Sequence, residues 1–132
     1  MAHEEIIARA TKHINPHKVG DRVFGTVASV IVTDRGSEYA GVCIDTSSGT
    51  GFCAEAAAVG AMVTAGEYRI RKVVAVSRHE DGKLYVLPPC GRCREFMRQV
   101  DEGNLEAEVV LGKDESAKLK ELLPRHRWPA PL

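Results

Sequence analysis

Apolar residues follow a helical spacing near the N-terminus and gather into β-branched or continuous runs further along the chain. Ile6, Ile7, Ala10 and Ile14 recur at intervals that place them on one face of a helix. The pattern predicts alternating elements, in the order helix 3–14, strand 23–32, strand 39–44, helix 52–65, strand 70–77, helix 90–100, strand 107–111 and helix 115–123. Because strands and helices alternate, we expect a three-layer α/β domain.

Proline and glycine residues mark the ends of several predicted elements. Asn15-Pro16 ends the first helix, because proline disfavours helical geometry in the residue before it. Gly66 closes the Ala-rich second helix, and Pro124 stops the last one. No repeat, low-complexity segment or linker divides the chain, so residues 1–132 are expected to form a single domain.

The charge balance narrows the classes of partner. Lys plus Arg and Asp plus Glu both number 18, which argues against a broad surface for nucleic-acid phosphates. No apolar run reaches the roughly 18 residues of a membrane span. The acidic start, Met1 to Glu5, lacks the layout of a secretory signal. We therefore expect a cytoplasmic protein whose cysteines bind metal or react.

Three of the four cysteines stand at the starts of two predicted helices. Cys53 opens the Ala-rich helix, and Cys90 and Cys93 open the next one in a C-x-x-C turn. Unpaired backbone N–H groups at a helix start are expected to lower thiol pKa values and so favour the metal-binding thiolate. Three sulfurs meeting one ion predict a Zn²⁺ site that keeps its fourth position for water.

Glu55 follows Cys53 by two residues, close to the predicted metal without being needed as a ligand. From there it is expected to take a proton from zinc-bound water and pass it to a ring nitrogen and the leaving amine. These parts predict hydrolytic removal of ammonia from C4 of an aminopyrimidine.

The motifs Cys53-Ala54-Glu55 and Pro89-Cys90-Gly91-Arg92-Cys93 resemble the signature of the cytidine deaminase superfamily. Within it, Arg9-Ala10-Thr11, the C-G-R-C tetrapeptide and the ending Leu122-Leu123-Pro124 with Trp128 are most similar to the blasticidin S deaminase type. The resemblance implies an α/β/α fold with a central mixed sheet, and a homotetramer. It also implies Cys53, Cys90 and Cys93 as zinc ligands, Glu55 as proton shuttle, and the Ala54 backbone N–H as a contact to the base.

The same resemblance suggests contacts to the rest of the substrate. Cys43 and Asp45 stand where relatives carry Asn and Glu for the sugar hydroxyl, and thiols are weak hydrogen-bond partners. Phe24 and Thr26, in the first strand, are expected near the base, and Trp128 near the substrate through a folded-back tail. Arg92 would supply the positive charge that Arg after C-A-E gives in relatives, where this chain has Ala56. Cytidine, deoxycytidine and blasticidin S-like nucleosides are all candidate substrates.

Each of these residues also has a simpler structural interpretation. The cysteines also suit an inactive, zinc-stabilised structural or binding module, which needs a fourth protein ligand such as Cys43, or a redox C-x-x-C pair. Cys43 alone fits a buried small apolar residue. Asp45 fits a loop cap, Arg92 a solvent-facing residue, and the Trp128 tail a frayed end. Deamination of nucleic acid uses the same chemistry, but the neutral net charge argues against that partner.

Overall fold

The computed structural model describes all of residues 1–132. The helices are α1 (His3–Thr11), α2 (Ala54–Thr64) and α3 (Gly91–Val100), with short 3₁₀ helices at Glu102–Glu106 and Leu119–Leu122. The strands are β1 (His17–Val19), β2 (Arg22–Phe24), β3 (Val27–Thr33), β4 (Glu38–Val42), β5 (Ile70–Arg78), β6 (Leu84–Val86), β7 (Glu108–Val110) and β8 (Ser116–Lys118). No helix is both long and apolar enough to span a membrane.

Six strands form one mixed sheet. Its main order is β4-β3-β5-β7-β8, and β6 pairs with the end of β5. Strand β5 is antiparallel to β3 but parallel to β7, because the chain crosses over through α3 between β5 and β7. Strands β1 and β2 form a separate hairpin outside this sheet.

The sheet separates two apolar cores, because side chains alternate between its faces. Ile31 of β3 points toward a core that includes Val59 and Met62 of α2 and Met97 of α3. Its neighbour Val30 points to the opposite core, under α1. The expected α/β/α fold with a central mixed sheet is confirmed.

Two predicted elements are wrong. The expected helix 115–123 is instead β8 followed by a short 3₁₀ helix, because Ala117 pairs with Val109 of β7. The expected strand 23–32 is broken at Gly25, whose φ is +75°. An added Cβ there would lie 2.4 Å from the carbonyl oxygen of Asn15. Neither the pairing nor this close contact is visible in the local sequence.

The Ala-rich composition of α2 sets its distance from the sheet. An added Cβ on Gly41 of β4 would lie 2.4 Å from the backbone nitrogen of Ala58. Small residues on both sides therefore let the helix backbone approach the strand directly. This contact fixes the position of α2 and of the residues at its start.

Candidate active site

Two helix starts bring three thiols together. Cys53 and Cys90 precede the first residues of α2 and α3, and Cys93 lies in the first turn of α3. The three Sγ atoms lie within 4.8 Å of one another, and those of Cys53 and Cys90 are 3.5 Å apart. Sulfurs bound to one tetrahedral zinc at about 2.3 Å would be roughly 3.8 Å apart. The cluster therefore fits a zinc ion in both donor type and spacing.

The environment of the thiols also favours a cation. Burial raises the pKa of Cys53, and burial together with the negative charge of Glu55 raises that of Cys93. For Cys90, burial opposes ionisation, but hydrogen bonds led by the Cys93 backbone outweigh it and lower the pKa. The expected lowering of thiol pKa values at helix starts thus holds for Cys90 alone. A divalent cation is what would let all three thiols ionise side by side.

Glu55 lies in the first turn of α2, with its side chain almost fully buried. Burial raises its pKa, because the charged carboxylate loses solvation there. It forms no ion pair, so no cationic side chain offsets this effect. A carboxyl group with a raised pKa is suited to accepting and returning a proton near neutral pH.

The Cys53 and Cys90 thiols and Glu55 border an open cavity of about 670 Å³. That volume lies within the range of small-molecule sites, roughly 300–1,000 Å³. The cavity brings together most of the predicted site residues, namely Thr26, Cys43, Asp45, Cys53, Ala54, Glu55, Cys90 and Arg92. Cys93 is buried and contributes its sulfur to the cluster rather than to the cavity wall.

A short chain of polar contacts lines the cavity wall just before β3 and just after β4. Thr26 Oγ1 lies 3.4 Å from Cys43 Sγ, and the Cys43 thiol is 3.7 Å from Asp45 Oδ2. Cys43 is buried and does not belong to the three-sulfur cluster. The fourth protein ligand that a structural zinc site needs is therefore not supplied by Cys43.

Comparison of the sequence with known protein families identifies the family of this chain. The family described as the cytidine and deoxycytidylate deaminase zinc-binding region matches residues 1–108. The chain belongs to this family.

Solved structures agree with that assignment. Cytidine deaminase from Mycobacterium tuberculosis is 27% identical, with a TM-score of 0.73 over 92% of this chain and 94% of its own. Cytidine deaminase from Burkholderia pseudomallei is 26% identical, with a TM-score of 0.75 over 95% and 98%. The Mycobacterium leprae enzyme, at 23% identity and a TM-score of 0.74 over 92% and 97%, supports the fold.

In this member of a zinc-binding deaminase family, one arginine stands between two of the clustered cysteines. Arg92 lies between Cys90 and Cys93, and its Nη1 donates a hydrogen bond of 3.3 Å to the carbonyl oxygen of Gly51. It lines the cavity and forms no ion pair. The guanidinium thus borders the same cavity as the Cys53 and Cys90 thiols, and no carboxylate neutralises it.

Two predicted substrate residues of this deaminase-family chain lie elsewhere. Phe24 pairs with His17 in the β1–β2 hairpin and is not among the residues that line the cavity. The Trp128 ring stacks on the Arg98 guanidinium, with Arg98 Cζ 4.3 Å from the centre of the ring. Trp128 is still 62% exposed. The tail therefore covers the last turn of α3 and not the cavity of the same chain.

Sequence reasoning missed several cavity residues, among them Arg22 and Phe52. Phe52 was predicted to begin the Ala-rich helix, yet it forms an isolated β-bridge with Ile44 that closes the loop before Cys53. Arg22 reaches the cavity from the separate hairpin. The one available signal was the aromatic residue directly before C-A-E.

Proposed function

We propose that this protein is a zinc-dependent hydrolase that deaminates a cytosine-bearing nucleoside or nucleoside analogue, replacing the C4 amino group by oxygen and releasing ammonia. The observation that carries the proposal is the position of Glu55, buried in the wall of the cavity that also exposes the thiols of Cys53 and Cys90. Family membership supports the same reaction class.

The residues that would hold zinc are Cys53, Cys90 and Cys93. When bound, zinc acts as a Lewis acid that lowers the pKa of water to roughly 7 and so supplies a nucleophile at neutral pH. Arg92 offsets part of the negative charge of the three thiolates. This role fits its place between two of the cysteines and its lack of a carboxylate partner.

Glu55 moves the protons in the proposed mechanism. It accepts one proton from the attacking water and delivers it to N3 of the pyrimidine. It then takes the proton of the new C4 hydroxyl and passes it to the amino group, which leaves as ammonia while the C4 carbonyl forms. Its burial, which raises its pKa above the ordinary value, favours uptake of the proton from water.

The backbone N–H of Ala54 is proposed to hold the base, and the wall of Thr26, Cys43 and Asp45 to face the sugar. Cytidine, deoxycytidine and a blasticidin S-like nucleoside are the candidate substrates. A thiol at position 43 bonds weakly, so Asp45 is the stronger hydrogen-bond acceptor on this wall.

The resemblance further supports a homotetramer acting in the cytoplasm. Exposed apolar side chains on α2 and α3, such as Val63 and Phe96, are consistent with surface that neighbouring subunits would cover. Light scattering of the zinc-loaded protein tests the assembly, and a monomer at micromolar concentration would contradict it.

An ammonia-release assay on the zinc-loaded protein tests the proposed reaction, with cytidine, deoxycytidine and blasticidin S as substrates. Glu55→Gln keeps the shape of the side chain but cannot accept the proton, so turnover should fall by about 10²–10⁴-fold. Glu80→Gln, which alters an exposed loop carboxylate without ion pairs, is the matched control. Zinc binding without ammonia release from any aminopyrimidine would favour the zinc-stabilised module instead.

A further inference from the structure

Besides Glu55 and Arg92, the cavity wall carries two opposite charges that no other side chain neutralises. Arg22 and Asp45 both line it, yet neither forms an ion pair with any side chain. The only side-chain hydrogen bond of Asp45 comes from the weak Cys43 thiol donor, at 3.7 Å. Both charges therefore remain available to a ligand in the space they share.

Arg22 is carried by a hairpin that is fastened to the cavity wall. The backbone nitrogen of Gly25, directly after β2, donates to the carbonyl oxygen of Cys43 at 3.4 Å. The backbone nitrogen of Asn15 donates to the carbonyl oxygen of Gly25 at 2.9 Å. These bonds place the hairpin beside Cys43, on the sugar-facing wall.

One hydrogen bond orients the Arg22 guanidinium, and most of its N–H donors have no partner within the protein. Its Nη2 donates to Ser47 Oγ at 3.2 Å, in the loop that follows Asp45. A guanidinium offers five N–H donors in a planar fork, so several remain free for a ligand. Carboxylate and phosphate oxygens match that fork and accept charge-assisted hydrogen bonds about twice as strong as neutral ones.

We propose that Arg22 is a specificity-determining residue that binds an anionic group, carboxylate or phosphate, carried on the sugar of the substrate. The inference rests on the proposed deaminase function. With the aminopyrimidine at Glu55 and a sugar hydroxyl donating to Asp45, the anion lies toward Arg22 and Ser47. The substrate class is then an aminopyrimidine nucleoside with both a hydroxyl donor and a negative charge on its sugar portion.

The test compares kcat/KM values of the zinc-loaded enzyme for four compounds. Cytidine 5′-phosphate and the nucleoside with a 5′-carboxylate are the anionic arms, and they separate phosphate from carboxylate as the source of charge. Cytidine and the corresponding 5′-carboxamide are the neutral controls. Each is measured with the wild type, with Arg22→Gln, and with Lys18→Gln, which removes a like charge from the same hairpin outside the cavity.

The wild type should prefer at least one anionic compound to its neutral control by roughly 10- to 100-fold in kcat/KM. Arg22→Gln should abolish that ratio, whereas Lys18→Gln should preserve it. A wild type that prefers neutral nucleosides, or an unchanged ratio in Arg22→Gln, would overturn the proposal. Absence of ammonia release from all four compounds and from deoxycytidine and blasticidin S would instead refute the deaminase function itself.

Discussion

The two ends of helix α3 use polar groups in opposite ways. At its start, the Cys90 thiol and the Arg92 guanidinium face the cavity, and no carboxylate pairs with the arginine. In its last turn, Arg98 is only 2% exposed, and it binds Glu95 and Glu102 while Trp128 covers it. The charged group without a carboxylate partner lies at the end of the helix that borders the cavity, whereas the fully paired arginine at the other end stabilises the fold.

Replacing a thiol at the start of α3 should have the largest effect. Cys93→Ser removes one of three zinc donors, so bound zinc should fall from about one per chain to nearly none. Turnover should disappear with it, and the melting temperature should no longer rise when zinc is added, since metal bound to the native state stabilises it. Metal analysis after dialysis measures the loss, and Cys43→Ser, outside the cluster, is the control. A Cys93→Ser protein that retained stoichiometric zinc would contradict the assigned ligand set.

Replacing the buried cation at the other end should affect stability and leave the chemistry intact. Arg98→Ala removes hydrogen bonds to two carboxylates and the cation beneath Trp128. Glu95 and Glu102 are partly exposed and regain water, so the expected loss is about 2–3 kcal/mol in the free energy of unfolding. Denaturant titration measures it.

Below its unfolding transition, Arg98→Ala should keep the zinc content and kcat/KM of the wild type. Arg98→Lys, which retains the charge without the planar fork, should recover part of the lost stability. Loss of zinc from folded Arg98→Ala would show that the two ends of the helix are not independent.

Arg94 lies between these ends and should give an intermediate result. Its Nε donates to the carbonyl oxygen of Pro89 at 2.8 Å, and its Nη1 donates to that of Leu122 at 3.2 Å. Because Pro89 directly precedes Cys90, Arg94→Gln should weaken zinc binding by about 10-fold through the position of that thiol. Competition with a chelator measures the affinity.

Arg78→Gln is the matched control for Arg94, because it removes a similar bond to the carbonyl oxygen of Gly82 in a distant turn. Equal zinc affinities for the two variants would assign Arg94 a purely structural role.

The smallest expected effect is a change in acid sensitivity at the last turn of α3. Hydrogen bonds from Arg98 and then Gln99 lower the pKa of Glu95 below its ordinary value of 4.5. The resulting stabilisation is fully present above that value and is lost as the pH falls through the lowered pKa of the folded state. Glu95→Gln should therefore flatten the acid side of the stability profile, measured by denaturant titration at several pH values. Glu80→Gln should leave the profile unchanged, and a similar flattening in that variant would contradict the assignment to Glu95.

The parts of the site that depend on local sequence were predictable. Cys53, Glu55, Cys90 and Cys93 are set by short spacings at helix starts, and the structure brings them together as expected. Their roles stay predictions until the zinc and activity measurements are made. The layered fold was predictable for the same reason, since apolar periodicity reports which face of each element is buried.

The parts that depend on distant contacts were not predictable. Arg22 reaches the cavity only because the chain breaks at Gly25 and the hairpin fastens to Cys43. Strand β8 forms because β7 offers an edge to pair with, although its local sequence favoured a helix. Trp128 was expected over the substrate, yet Arg98 gives it a different partner within the same chain.

The close contact between Gly41 and α2 has a consequence for redesign of the cavity. Even a single methyl group at position 41 would press on the Ala58 backbone, and the helix would have to retreat from the strand. Cys53, directly before that helix, would move with it, so the distance from its Sγ atom to those of Cys90 and Cys93 would increase. Room for larger nucleosides is therefore better made by substitutions in the β1–β2 hairpin that borders the cavity, with the contact between Gly41 and α2 left unchanged.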